Sequence, residues 1–393
     1  MNKRKKMKTV QEMQPCRTID WSALPSDIEN NILSRLPVKY LMRFRCVCKH
    51  WCNLVTNPHF IKLQLNHSTQ VNKIPKLIRI SNATVYSIDL EACVVKCITT
   101  PGQRKIKPQK EIVLPFKNWS LKSLKIAGSC NGLLCFSCPY SITVHLLNPV
   151  TKEYKSLPYP KYISSLDTTV FGFGYSPRTD EYKVIIILYY EVEHSVLCDG
   201  VYVYTLGKDS SWRSIGKTGY RINDPNLHAL VNGALHWMAS GPIRHSSVPI
   251  SFDFGDEKFR EFSMPKSFRQ GETNHPMEVE ELGGFLSLHG CKDGWNFDIW
   301  VMKDYGDETT WTKMFSVAQI LNVVPEPFKP LYILKKGEVL FCECEHGFFI
   351  LDVVKKATHR HRFRLPPWNF RREMYFESLV SLRALGGMDG GNE

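Results

Sequence analysis

The stretch Leu24-Pro25-Ser26-Asp27-Ile28-Glu29-Asn30-Asn31-Ile32-Leu33-Ser34-Arg35-Leu36-Pro37 decides how the chain divides. Ser26 with Glu29 three residues on is a capping-box signature and predicts a helix start, which Pro37 then stops. Ile28, Ile32, Leu33 and Leu36 fall at the i, i+4, i+5, i+8 spacing, so one side of that helix is an apolar stripe. A second helix is predicted over Val38 to Cys46, with Leu41, Met42 and Phe44. A third is predicted over Val47 to Val55, with Trp51, Leu54 and Val55, and Asn57-Pro58 ends it. About forty residues in short helices bury only part of their apolar surface against one another. The remainder calls for a partner, in the manner of helix-in-groove docking.

In order and spacing, Leu24-Pro25, Ile32-Leu33, Arg35-Leu36-Pro37-Val38, Leu41, Arg43-Phe44-Arg45-Cys46-Val47-Cys48-Lys49, Trp51 and Asn57-Pro58-His59-Phe60 resemble the F-box motif in the form common in plant F-box proteins. The resemblance implies a helical module over residues 20–66 that binds the Skp adaptor and, through it, a cullin-RING ubiquitin ligase. It implies adaptor-binding roles for Leu24, Pro25, Ile28, Ile32, Leu33, Leu36, Pro37, Leu41, Arg45, Val47 and Trp51. Cys48 stands where a serine is frequent and His50 where a small polar residue is frequent, and neither departure removes an apolar anchor.

The 393 residues allow one small module and one large one, and 43% hydrophobic residues suffice for a large core. The longest apolar run, Val184 to Tyr190, is far below the ~18 to 20 residues a spanning helix needs. No apolar stretch follows the basic N-terminus to make a signal peptide. A soluble protein of the cytoplasm or nucleus is therefore expected, with its 13 cysteines as reduced thiols. Part of the formal net charge of +13 sits in the tail Lys3-Arg4-Lys5-Lys6-Met7-Lys8, read as a solvated, disordered end over residues 1–19. His359-Arg360-His361-Arg362-Phe363-Arg364 with Arg371-Arg372 is the one other basic patch.

Beyond Leu65 the pattern changes from helix to strand. Turn pairs occur at Ser81-Asn82, Asn131-Gly132, Asp180-Glu181, Asn232-Gly233, Gly283-Gly284 and Lys336-Gly337, and their second residues are separated by 50, 49, 52, 51 and 53. That spacing is near the ~50-residue period of kelch-type blades. Recurring third strands follow at Val144 to Pro149, Val201 to Tyr204, Ile250 to Asp253, Ile299 to Met302 and Phe348 to Asp352. Fourth strands follow at Glu153 to Pro158, Phe259 to Pro265 and His361 to Pro366. The pattern predicts an all-β, kelch-like propeller of six or seven blades over residues 67–385, because radial closure removes sheet edges. Tyr375 to Leu382 is expected to pair with the first blade and close the ring, with 386–393 a disordered tail.

Gly128-Ser129-Cys130-Asn131-Gly132-Leu133-Leu134, Leu147-Asn148-Pro149, Phe171-Gly172-Phe173-Gly174-Tyr175, Asp180-Glu181-Tyr182-Lys183-Val184 and Glu377-Ser378-Leu379-Val380 resemble the F-box-associated domain of plant F-box proteins. That resemblance implies a kelch-like propeller that binds an unnamed target protein. No nucleophile elbow, phosphate loop, dinucleotide fingerprint or His-Glu-x-x-His pair is present. Cys135-Phe136-Ser137-Cys138 and Cys342-Glu343-Cys344-Glu345-His346 fall in predicted strands and read as buried thiols rather than zinc ligands. No catalytic residue, metal or cofactor is expected. The reading is a substrate receptor of an SCF-type ligase, an adaptor rather than an enzyme. Contacts to the target are expected from Glu191 to Gly200, Ser240 to Val248 and Gly271 to Glu278. The alternative is a nucleic-acid or chromatin-associated propeller that uses the basic patches, with nucleic acid the lesser expectation.

Overall fold

The computed structural model describes residues 24–70, 74–81, 84–99, 109–115, 124–138, 143–158, 160, 168–192, 195–241, 247–266, 277–291, 297–316, 328–334, 337–343, 347–352, 357–362 and 372–386. Four helices open the chain: α1 (Ser26–Ser34), α2 (Val38–Phe44), α3 (Lys49–Thr56) and α4 (Pro58–Gln70). The expected capping box does not form. Pro25 is the N-cap of α1, and its carbonyl takes the N–H groups of Ile28 and Glu29 at 3.0 and 3.1 Å. Asn57-Pro58 does end α3, but it also starts α4: Asn57 Oδ1 accepts from the N–H groups of His59 and Phe60 at 2.8 and 3.3 Å. Pro58, which has no N–H to satisfy, fills the first position of that helix.

Six antiparallel sheets follow, each a blade. Blade one holds β1 (Lys76–Ser81), β2 (Thr84–Asp89) and β3 (Gln109–Ile112). Blade two holds β4 (Lys125–Cys130), β5 (Leu133–Cys138), β6 (Thr143–Leu147) and β7 (Tyr154–Ser156), and blade three β8 (Thr168–Ser176), β9 (Glu181–Val192), β10 (Ser195–Thr205) and β11 (Arg213–Gly216). In blade four, β12 (Arg221–Ile222) and β13 (Ala229–Val231) both pair with β14 (Ala234–Ser240), followed by β15 (Ser247–Asp253) and β16 (Lys258–Glu261). Blade five is β17 (Glu278–Leu282), β18 (Phe285–Cys291), β19 (Phe297–Met302) and β20 (Trp311–Ser316). Blade six is β21 (Phe328–Ile333), β22 (Glu338–Glu343), β23 (Gly347–Asp352) and β24 (Ala357–Arg362). The outer strand of blade six thus starts before the expected His361, and 363–366 lie outside the described residues.

A C-terminal strand does close the ring, but it is β25 (Arg372–Tyr375), in antiparallel register with β1 from Lys76↔Tyr375 to Arg79↔Arg372. The expected closing segment overlaps it only at Tyr375, and residues 376–386 are irregular. Because β25 supplies the innermost strand of blade one, β1 is that blade's second strand. The expected Ser81-Asn82 turn therefore falls between strands two and three, whose end pair Ser81↔Thr84 lies on the opposite rim from Asn131-Gly132, Asp180-Glu181, Asn232-Gly233 and Gly283-Gly284, and its regular spacing does not reflect the blade period. One helix also interrupts the β-domain: α5 (Leu90–Thr99), between β2 and β3, whose Leu90, Cys93 and Val94 are buried at helical spacing.

Six apolar clusters fill the six seams between neighbouring blades. Each blade is buried on both faces, which is why β5 and β14 are mostly apolar and buried at successive residues rather than alternating. In β8, Phe171, Phe173 and Tyr175 face the seam with blade two. Gly172 and Gly174 face blade four, where an added Cβ would stand 2.4 Å from Leu235 and 2.2 Å from Phe254. The alternation of aromatic and glycine therefore sets how closely two blades approach.

Polar locks hold the same region. Lys183, 4% exposed, donates to Phe254 O and Glu257 Oε1 at 2.9 Å and pairs with Glu181 at 3.0 Å. Arg213 holds Glu257 with two hydrogen bonds of 2.8 and 2.9 Å. Burial raises the Glu181 pKa, but Lys208 and Lys183 outweigh it and bring it from 4.5 to about 2. Arg213 leads the causes that lower Glu257. Among the described residues no helix is long and apolar enough to cross a membrane.

Two outcomes follow for stability. Both glutamates are held below their usual value, so their contribution is complete above about pH 4.5 and is lost as the pH falls below it, for Glu181 towards about 2. Glu257→Gln, which leaves Lys183 short of a buried partner, is expected to cost on the order of 3 kcal/mol at neutral pH and to flatten acid unfolding in that window, measured by urea titration at several pH values. Gly172→Ala should lower the melting temperature through the clash with Leu235, in a thermal scan.

Candidate functional site: the helical face and its junction with the propeller

The helices sort the expected adaptor-binding residues into two groups. Ile28, Ile32 and Val47 are 48%, 45% and 64% exposed, and Pro25 and Pro37 are exposed as well. Leu24, Leu36, Arg45 and Trp51 are half-buried. Leu33 and Leu41 are 3% and 0% exposed, packed in the cluster that holds Val38, Val55 and Phe60. These two leucines therefore support the surface from beneath. The i, i+4, i+5 pattern on α1 could not separate Leu33 from Ile32, because the arc that α1 buries runs through Glu29, Leu33 and Ser34, to one side of the apolar stripe.

Inside the module, the Glu29 carboxylate accepts the Trp51 Nε1–H at 2.9 Å and lies 2.8 and 3.1 Å from His50 Nε2. Trp51 packs on Phe44 with ring centroids 4.7 Å apart. Cys48 caps α3, its Sγ accepting the Trp51 N–H at 3.5 Å. The sulfur takes the position and role of the hydroxyl that a serine would supply, as a weaker acceptor.

The buried side of the helices is continuous with the propeller. Leu33, Val38, Leu41, Val55, Phe60 and Ile61 share one cluster with Leu133 and Leu146 of blade two, Phe171, Phe173 and Val184 of blade three, and Leu379, Val380 and Leu382 of the C-terminal segment. Lys62 of α4 pairs with Asp180 at 2.5 Å, and Tyr175 donates to the same carboxylate at 2.6 Å. Lys62 and then Tyr175 draw the Asp180 pKa below its usual range. The helices thus sit on the rim that carries the Asn131-Gly132 and Pro177–Asp180 turns.

The segment after β25 crosses this rim as a strap. Asn148, fully buried, donates to Ser378 O and Val380 O at 3.2 and 2.8 Å, while its Oδ1 accepts from Val150 and Thr151. Ser378 Oγ donates to Asn131 O at 2.5 Å, and Glu153 accepts the N–H of Leu382 at 2.7 Å. Gly132, at φ +79°, has no room for a side chain, since a Cβ there would lie 2.2 Å from Ser378 Oγ. Three segments that carry the resemblance, around Asn131, Asn148 and Ser378, are thus one latch. The other two, around Gly172 and Lys183, hold the seams of blade three.

Cys135 and Cys138 are both buried, and three residues apart in a strand they point to opposite faces. Cys342 is buried, and 344–346 lie outside the described residues. Glu278, Glu280 and His289 bring three metal-type donors within 4.8 Å, but Lys329 pairs with Glu278 and supplies a positive charge of the protein's own. Burial holds His236 neutral, with its pKa lowered to about 4, between Tyr305 and Ala229 O. The basic tail and the side chains of the His359 to Arg372 patch lie outside the described residues.

An F-box domain family matches residues 21–63, and the family described as F-box associated beta propeller domain matches residues 91–367. The Arabidopsis thaliana F-box protein At3g07870 is 31% identical over 365 residues, covering 84% of this chain and 82% of that protein. The Arabidopsis F-box/kelch-repeat protein At3g23880 is 28% identical over 346 residues, covering 86% and 89%. F-box protein CPR1 of the same plant is 25% identical over 386 residues, covering 91% and 89%. The chain belongs to the F-box proteins that carry an F-box-associated β-propeller. Its two-part build supports the role of a substrate receptor of SCF type, and members of this family are generally adaptor subunits. The propeller match begins at 91, yet β1 and β2 lie before it and complete blade one.

Replacing a sulfur cap by a hydroxyl cap tests the local reading of α3. Cys48→Ser should stabilise the protein by about 0.5–1 kcal/mol and Cys48→Ala should not, in urea unfolding followed by helix ellipticity. Asn148→Ala strands two strap carbonyls and two turn N–H groups, and should cost about 2–4 kcal/mol in the same measurement.

Proposed function

We propose that the helical face docks on the Skp adaptor, and that the propeller holds a target protein for ubiquitination by the attached cullin-RING ligase and for degradation. The observation that carries this reading is the exposure of Ile28 and Ile32 on α1 and of Val47 in the turn between α2 and α3, on a helical module whose opposite side is committed to the propeller. Isoleucine and valine side chains about half or more in water, grouped on one structured surface, lose that exposure only against a partner. Pro25, Pro37 and the accessible part of Trp51 border them.

Target contacts fall to the other rim. The strand ends Val192, Ser240, Ser247 and Glu278 lie at the end of the propeller away from the helices, and of the expected segments Glu191 to Gly200, Ser240 to Val248 and Gly271 to Glu278, residues 193–194, 242–246 and 271–276 lie outside the described residues. Tethering on a rigid frame raises the local concentration of target lysines near the ubiquitin-charged enzyme, so this chain needs no chemistry of its own. A cytoplasmic or nuclear setting fits that role.

Purified full-length protein should bind the Skp adaptor in a calorimetric titration. Ile32→Asp and Val47→Asp should each weaken binding about tenfold or more without lowering the melting temperature, since both side chains are already in water. Wild-type protein that is folded yet does not bind would refute the docking.

A further inference from the structure

Glu29 is a charged residue in a position where the docking reading requires none. It is 2% exposed, between Ile28 at 48% and the rest of the apolar face. It stands on α1, while both groups that hold its carboxylate, the Trp51 indole N–H and the His50 imidazole, stand on α3. Trp51 in turn packs on Phe44 at the end of α2. One carboxylate therefore ties α1, which carries Ile28 and Ile32, to α3 and, through Trp51, to the end of α2, the two helices joined by the turn that carries Val47.

Stability alone does not account for this choice. A buried hydrogen-bonded charge is often no better than an apolar side chain of the same volume. What a carboxylate adds is direction. It accepts along defined lines, so it fixes the rotation of the indole plane and the register of α3 against α1, whereas a leucine would permit several packings. His50, which departs from the family pattern of a small polar residue at that position, supplies the second anchor. We propose that Glu29 is a positioning residue for the adaptor-docking face, acting through Trp51 and His50. The inference rests on the docking reading above, and it assigns to Glu29 a role that a local capping pattern does not suggest.

The test uses full-length protein with Glu29→Leu, Glu29→Gln and Trp51→Phe, scored for Skp adaptor affinity by calorimetry and for thermal unfolding. Glu29→Leu should melt close to wild type yet bind about tenfold more weakly. Glu29→Gln keeps an amide oxygen for the indole N–H and should restore affinity to within about threefold of wild type. Trp51→Phe, which removes only the donor and trims the ring, should lose affinity as Glu29→Leu does, and the double variant should lose no more than either single one. A merely structural Glu29 would show affinity tracking melting temperature, with no rescue by Gln. Glu29→Leu binding as tightly as wild type overturns the proposal. If that variant does not fold, Trp51→Phe binding as tightly as wild type overturns it instead. Absence of binding by the folded wild type would strike the docking reading itself, and is distinguishable from both.

Discussion

Leu379, Val380 and Leu382 lie in one apolar cluster with Leu33, Leu41 and Phe60 of the helices and with Phe171, Phe173 and Val184 of blade three. The relation between the two parts of the protein depends on that shared core. Short helices cannot complete a core of their own. Here they borrow one from the seam between blades two and three, and the C-terminal strap fills the space between. In the receptor reading, the orientation of the ligase relative to the far rim is then set by packed side chains rather than by a linker.

Apolar packing alone leaves orientation loosely specified, and the structure adds buried polar side chains where orientation matters. Asn148 holds the strap, Lys183 joins blade three to blade four, and Glu29 joins α1 to α3. Each has partners from a distant part of the sequence, and each is buried. In a low-dielectric setting such groups are costly when misaligned, so they select one arrangement among several of similar apolar burial. Segments that mark the family at Asn131, Asn148, Lys183 and Ser378 serve this purpose. They identify the scaffold and carry no information about the target.

Features that depend on near neighbours were legible in the chain. The type I′ turns at Asn131-Gly132 and Asn232-Gly233 have positive φ at both residues, and only a few residue types adopt that conformation readily. Punctuation by Pro37 and Asn57-Pro58 was equally plain. Errors arose where a local pattern competed with a distant partner. Ser26 and Glu29 have the spacing of a capping box, but Glu29 turns to Trp51 and His50, more than twenty residues away. Ser81-Asn82 kept the turn spacing but is out of phase, because the ring closes through β25 and makes β1 a second strand.

The sequence by itself determined the two-part architecture, the helical module and the repeat of about fifty residues, since capping, turn chemistry and periodicity act over a few residues at a time. Tertiary structure alone decided the strand that closes the ring, the path of the strap, and which residues of the helical stripe face water. Leu33 and Ile32 are neighbours of equal hydrophobicity, and only the surface packed against α1 puts one at 3% exposure and the other at 45%. Burial is a property of what lies opposite, and Leu33 lies in a cluster whose other members come from distant parts of the chain.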